Sequence, residues 1–195
     1  MPKVAQAHLD ARRRQIVEAA RRCFARNGFH RTSMQDVFAE SGLSAGAVYR
    51  YFGSKDELIA GVAAGAVGQV RASVHALLGS GRDLNPADAL ARLVDDLGAF
   101  RDPDGTGRIM IHAWGESLGD PALRELIAAL NREMLDELSQ VADGFVGAGH
   151  LPADADRRAV AHTLLSLMQG YVVQFHVTGD LTPERYLVGL RALLR

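Results

Sequence analysis

Apolar residues recur along most of this chain at the three-to-four-residue spacing of one-faced helices. Between Asp10 and Arg26 they fall at Ile16, Ala19, Ala20, Cys23 and Phe24, the i, i+3, i+4, i+7, i+8 pattern that lays one stripe along a helix. Asn27-Gly28 predicts its end, since glycine reaches the left-handed C′ conformation without steric cost. Thr32-Ser33-Met34-Gln35 has the S/T-x-x-E/Q form of a capping box and predicts a second helix from near Ser33. Gly42 keeps that helix short, and Ser44 is placed to cap a third one running to Phe52. Ser54-Lys55-Asp56-Glu57 is a further capping box, opening a longer helix to near Leu78.

Downstream, Asn85-Pro86, Asp120-Pro121 and Thr182-Pro183 each set a capping residue before proline at the first helical position. They predict helices near 86–100, 106–118, 121–147, 155–178 and 183–194. Gly79-Ser80-Gly81, Asp102-Pro103-Asp104-Gly105 and Gly147-Ala148-Gly149 separate them. Tyr171-Val172-Val173-Gln174-Phe175 is strand-like in composition, yet no turn bounds it, so it stays helical. The expected class is all-α, with a helix-turn-helix domain over 1–55 and a second helical domain over 56–195.

Charge sharpens that division. The net charge is −1, but residues 1–55 hold ten Lys/Arg against four Asp/Glu and the remainder twelve against nineteen. A basic end on an acidic body suits a polyanion partner for the first segment alone; the same arginines could equally coat a solvated helix. With one cysteine, Cys23, there is neither a disulfide framework nor a cysteine-based zinc cluster. Its helical spacing among apolar residues predicts a buried thiol. No apolar run reaches the roughly 18 residues a bilayer span needs, and the first ten residues contain no apolar h-region. The expectation is a soluble cytoplasmic protein.

Residues 33–52 have the length and punctuation of a helix-turn-helix, in which the second helix enters the major groove. Met34, Val37 and Phe38 would bury one helix, Val48 and Phe52 the other, with Leu43 anchoring the turn. Ala45, Gly46, Tyr49 and Arg50 are then left outward. Small residues at the helix start allow close approach, with backbone N–H groups aimed at phosphate. Tyr49 and Tyr51 can donate to phosphates, and Arg50 can reach a phosphate or a guanine edge. Thr32, Ser33 and Lys55 stand at the starts of flanking helices, where their donors can hold the duplex backbone. Spacing alone leaves a second reading open, since helix, glycine turn and helix also occur in bundles where such tyrosines are packing residues.

The residues from Ile16-Val17-Glu18-Ala19-Ala20 through Phe24-Ala25-Arg26-Asn27-Gly28-Phe29 and Thr32-Ser33-Met34-Gln35-Asp36-Val37, and the unbroken stretch Ser41 to Leu58, resemble the DNA-binding domain of the TetR family of bacterial regulators. The resemblance implies a three-helix N-terminal domain. It also implies a helical C-terminal domain that dimerises and binds a small effector, and a palindromic double-stranded operator read by one subunit per half-site. Carried onto matching positions, it implies phosphate contacts from Thr32, Ser44, Tyr49, Tyr51 and Lys55, and places 45, 46 and 50 at or near base edges. Ala45 and Ala47 stand where many relatives carry polar or basic side chains, which shifts weight from direct readout towards DNA shape.

In the family the last two long helices pair across a two-fold axis; here these are 121–147 and 155–178. Leu123, Leu126, Ile127, Leu130, Met134, Leu138 and Val141 stripe the first. Val160, Leu164, Leu167, Met168, Tyr171 and Phe175 stripe the second. The small Ala159, Ala161, Ser166 and Gly170 would permit close approach. For an effector, Phe100, Met110, Trp114, Met168, Gln169 and Tyr171, with His112 and Glu116 beside them, supply the adaptable and polar groups of a mostly apolar site. Ordinary core packing is the other reading of each.

The seven histidines form no HExxH and no i, i+4 pair, and there is no GxSxG and no P-loop. No catalytic residue, metal site or cofactor is therefore expected. The rivals to a repressor are an enzyme, an activator, and an interaction module whose basic end meets an acidic protein or anionic lipid.

Overall fold

A computed structural model describes residues 3–81, 85–96, 98, 101 and 106–194, with side chains from residue 7 onward. Every regular element among them is a helix: α1 Lys3–Arg31, α2 Met34–Ser41, α3 Ala45–Tyr49, α4 Lys55–Gly79, α5 Pro86–Asp96, α6 Thr106–Ser117, α7 Pro121–Gly147, α8 Arg157–Val177 and α9 Pro183–Leu193. The Tyr171–Phe175 stretch is helical, as its lack of bounding turns required. The expected loop at 102–105 lies outside the described residues.

The local signals act through hydrogen bonds, in two cases shifted by a residue. Gly28 breaks α1 at φ 74, ψ 169, so the turn there is extended rather than left-handed helical. The box at the start of α2 is Ser33 with Asp36, one residue later than Thr32 with Gln35. Burial explains the slip: Thr32 is 1% exposed and its hydroxyl donates inward to the carbonyls of Gly28 (2.8 Å) and Cys23 (3.2 Å). At α4 the Ser54 hydroxyl accepts from the Glu57 amide as expected, but the Glu57 carboxylate accepts from the Gly53 amide. Asp120 and Thr182 cap α7 and α9 ahead of their prolines.

Two apolar clusters organise these helices. The first holds Ile16, Phe24, Val37, Val48 and Phe52 together with Leu58, Ile59 and Val62 of α4, and reaches Ile109 and Ala113 of α6. The second gathers Val74, Leu90, Leu93, Leu138, Leu164 and Tyr171 from α4, α5, α7 and α8. α4 thus begins in one cluster and ends in the other, and its first two turns complete the core of the N-terminal head. α7 and α8 are the most extensively packed pair of the body.

Candidate nucleic-acid interface and cavity

The head is held rigid from behind. Glu40 of α2 accepts from Arg22 at 2.6 Å and Arg26 at 2.5 Å, both on α1, and these bonds hold its carboxyl below the usual range. The Gln15 side chain donates to the Ser41 carbonyl at 2.8 Å, closing the end of α2. Gly42 then turns the chain in the left-handed conformation, φ 67 and ψ 19, where a side chain would cost about 1–2 kcal/mol. Much of the basic charge read from the sequence is used internally, since Arg21, Arg22 and Arg26 pair with Glu18 and Glu40. Arg13 lies over the Phe52 ring, 4.9 Å from its centroid. Burial raises the Cys23 thiol above its ordinary value, as expected of a packing residue.

On α3 the division of faces is clean. Val48 is 0% and Phe52 2% exposed, while Tyr49 is 50% exposed. Ser44, Ala45, Gly46 and Arg50 are exposed with it. The helix is shorter than expected, one and a half turns with the Tyr51 and Phe52 amides still bonded to the Val48 carbonyl. Ser44 caps it by accepting from the Ala47 amide at 3.3 Å. The Tyr49 ring stands edge-on to Phe38 at 5.4 Å, which fixes the ring without covering it. Tyr51 is half-buried against the head core. Among the described residues Arg50 has no ion pair.

The remaining expected contacts differ. Thr32 is turned into the core, so its hydroxyl is not available to a duplex. The Ser33 hydroxyl and amide both donate to the Asp36 carboxylate at 2.7 Å, which lowers that carboxyl's pKa and leaves a fixed negative charge at the start of α2. Lys55 is half-buried, its ammonium donating to the Phe29 carbonyl at 3.0 Å; two of its three donors remain.

The body holds a cavity of about 60 Å³ among α4, α6, α7 and α8. Met110, Trp114, Met168 and Gln169, grouped by the sequence as candidate effector contacts, line it. Tyr171 does not. It is 1% exposed and packs against Phe175 and Tyr186, with ring centroids 6.1 and 5.0 Å away. Three residues beyond Met168 the helix has turned it out of the cavity, and Val172, a full turn on, lines the cavity instead. Burial and Tyr171 together push the Tyr186 phenol up to about 12, and it donates to the Leu167 carbonyl. Phe100 lies outside the described residues. Asn131 and Met134 of α7 and Val67 and Val70 of α4 complete the lining and were not anticipated. Asn131 could have been found, because it is the one amide on the stripe running Ile127, Asn131, Met134, Leu138.

α6 joins the two regions. His112 and Glu116, grouped with Trp114 by sequence, face the head instead. His112 stacks edge-on to Phe29 at 6.4 Å, and Glu116 lies 2.7 Å from His30. Trp114 touches both apolar clusters. Among the described residues no histidine, cysteine or carboxylate group is arranged to hold a metal. No described helix is long and apolar enough to cross a membrane.

The family profile "Bacterial regulatory proteins, tetR family" matches residues 16–66, and "BetI-type transcriptional repressor, C-terminal" matches residues 86–195. The uncharacterized HTH-type transcriptional regulator YfiR of Bacillus subtilis is 51% identical over 57 residues, 29% of this chain and 28% of that relative's own length. The HTH-type transcriptional regulator BetI of Vibrio campbellii is 26% identical over 190 residues, covering 94% of this chain and 87% of BetI. The crystal structure of a TetR transcription regulator from Chloroflexus aurantiacus shares the fold at TM-score 0.75 and 23% identity, over 95% of this chain and 94% of that one. With one profile on the head and the other on more than half of the chain, the protein belongs to the TetR family of bacterial transcriptional regulators.

Proposed function

We propose that this protein is a homodimeric repressor that grips a palindromic operator through α3 and its flanks and leaves it when a small molecule enters the body. The observation that carries the reading is the two-sided character of α3 and its flanks: Val48 and, beyond the helix, Phe52 are sealed in the core, while Ala45, Gly46 and Tyr49 of the helix and the flanking Ser44 and Arg50 stand outward. Ser44, Tyr49, Tyr51 and Lys55 contact phosphates, and Arg50 reaches a base edge or a phosphate. The Ala45 and Gly46 positions bring backbone close to the groove. Thr32 and Ser33 act indirectly, by setting the turn and cap that aim α2.

The dimer forms through the outward face of α8. Ala159, Thr163, Ser166, Gly170, Val173 and Val177 follow one another at helical spacing along it. Both hydroxyls on this stripe donate to their own helix, Thr163 to Ala159 and Ser166 to His162, so the face presents small, satisfied groups to a partner. Val188 and Leu193 of α9 are further exposed apolar groups, at 71% and 82%. The sequence had pointed to α7 as the second dimer helix. Its outward residues are mostly charged, including Arg124, Glu125, Arg132 and Asp136, so α9 is the better flank.

Gel shift on the DNA upstream of the protein's own gene tests the core of this reading. One complex should survive excess competitor DNA, and its affinity should fall with salt at a log–log slope of about −0.9 per phosphate contact. Complete loss to competitor would leave only generic polyanion binding. Light scattering should return a particle of twice the chain's 21.0 kDa.

A further inference from the structure

Resting on the effector reading above, we infer that the body cavity selects an uncharged, mostly apolar ligand carrying a hydrogen-bond acceptor, and discriminates against both cations and anions. The inference comes from what lines the cavity. Met110, Met134 and Met168 supply three thioethers, and among the described residues Asn131 and Gln169 are its only side-chain amides. No described lining residue is ionisable. A cation entering here would meet no carboxylate, and a carboxylate would meet no guanidinium or ammonium. Transferring either from water unpaired is far costlier than transferring a neutral group. On α7, Glu137 and Glu133 both accept from Arg71, at 2.6 and 3.0 Å, while the second Glu137 oxygen is buried without a partner among the described residues; neither carboxylate is among the described lining.

The second, independent observation is the indole of Trp114. It lines the cavity, and its Nε1 is buried with no acceptor among the described residues. An indole N–H can only donate, and a buried donor without a partner carries a desolvation penalty. Because Nε1 is sealed from the open space, an occupant offering a carbonyl, ether or phenol oxygen relieves it once the surrounding side chains move to uncover the N–H, and one offering only C–H does not. The amides of Asn131 and Gln169 each donate and accept, so they tolerate a neutral polar group of either sense. At about 60 Å³ the space is well below the roughly 300 Å³ of a site for drug-sized ligands. The ligand is therefore compact, or it enters as the unbranched methionines swing aside, which their three rotatable bonds allow.

Four probes built on one six-membered ring separate the possibilities: cyclohexanone, methylcyclohexane, cyclohexanecarboxylate and cyclohexylammonium. Calorimetry on the full-length protein reads affinity, and gel shift reads operator release in the same buffer. The expected order has cyclohexanone tightest, with each ion at least about tenfold weaker. Trp114→Phe keeps an aromatic ring but removes the N–H. In that variant cyclohexanone should lose its advantage over methylcyclohexane, with the melting curve recorded to show that the fold persists. Either ion binding as tightly as the ketone overturns the inference, and so does binding by none of the four at millimolar concentration. If an ion binds best and releases the operator, the effector reading survives and the neutral class does not. If cyclohexanone binds best yet the operator complex is unmoved, the class stands and the effector reading falls.

Discussion

The head and the body of this protein each bury an apolar cluster but organise it by different rules. In the head, the groups that make the candidate DNA face lie within residues 32–55, with Ser44, Tyr49 and Lys55 held by Ala47, by Phe38 of α2 and by Phe29 of α1. In the body, the cavity draws Val67, Met110, Met134 and Met168 from four helices spread over a hundred residues. The likeness to relatives is uneven along the chain, 51% identity over a 57-residue match with one relative against 26% along nearly the whole chain with another. A surface that must fit one invariant partner, the phosphate backbone, is built from local rules. The cavity is built from long-range packing, where many sequences give the same fold.

The largest test of that contrast is Phe52→Ala. The ring is 2% exposed and supports Arg13, so truncation should cost about 3–5 kcal/mol of head stability. Operator binding should vanish while light scattering still reports a dimer. If dimer and cyclohexanone binding vanish with it, the two regions fold as one and the contrast is false.

Tyr49→Phe acts on the surface alone. Its ring contact with Phe38 is kept and only the hydroxyl goes, so the operator complex should weaken by about 1.5–3 kcal/mol, the value of a hydrogen bond to a charged group. The melting temperature should not move. Lys55→Ala sits between these cases, because its ammonium also holds the Phe29 carbonyl. It should lower stability by about 1 kcal/mol and weaken operator binding too, whereas a residue serving only DNA would leave the melting temperature intact.

The smallest effect is acid sensitivity. The Glu18, Asp36 and Glu40 carboxyls are all held below their ordinary values, Glu18 first by its bond to Arg21, Asp36 by the Ser33 amide, and Glu40 by Arg22 and then Arg26. A depressed folded value means the stabilisation is complete above the unfolded carboxylate range and is lost as pH falls through the folded value. Melting followed below pH 5 should therefore show the head loosening gradually. Glu40→Gln should flatten that dependence.

How far the sequence reached depended on the distance over which each residue is determined. Caps and turns were legible because their partners lie two to four residues away. Asp120 and Thr182 cap where proline said they would, and Gly42 turns the chain between α2 and α3. The two slips, Ser33 for Thr32 and Gly53 for Ser54, each concern which neighbour of a pair makes the bond, and at α2 burial decided it: Thr32 was drawn into the core, leaving Ser33 outside to cap. Heptad-like stripes told which face of a helix is apolar but not what it meets. That is why Met168 and Tyr171, three residues apart on α8, were assigned together although one faces the cavity and the other faces α9.

By itself the sequence determined the helices, their starts, and the outward face of α3, because hydrogen bonds to near neighbours and a 3.6-residue period require no knowledge of the rest of the chain. Only the tertiary structure decided that α6 turns His112 and Glu116 to the head and Met110 to the cavity, that Thr32 is sealed, and that none of the described residues lining the cavity is ionisable. Those outcomes depend on which helices cross and at what rotation, and packing sets both between residues far apart along the chain.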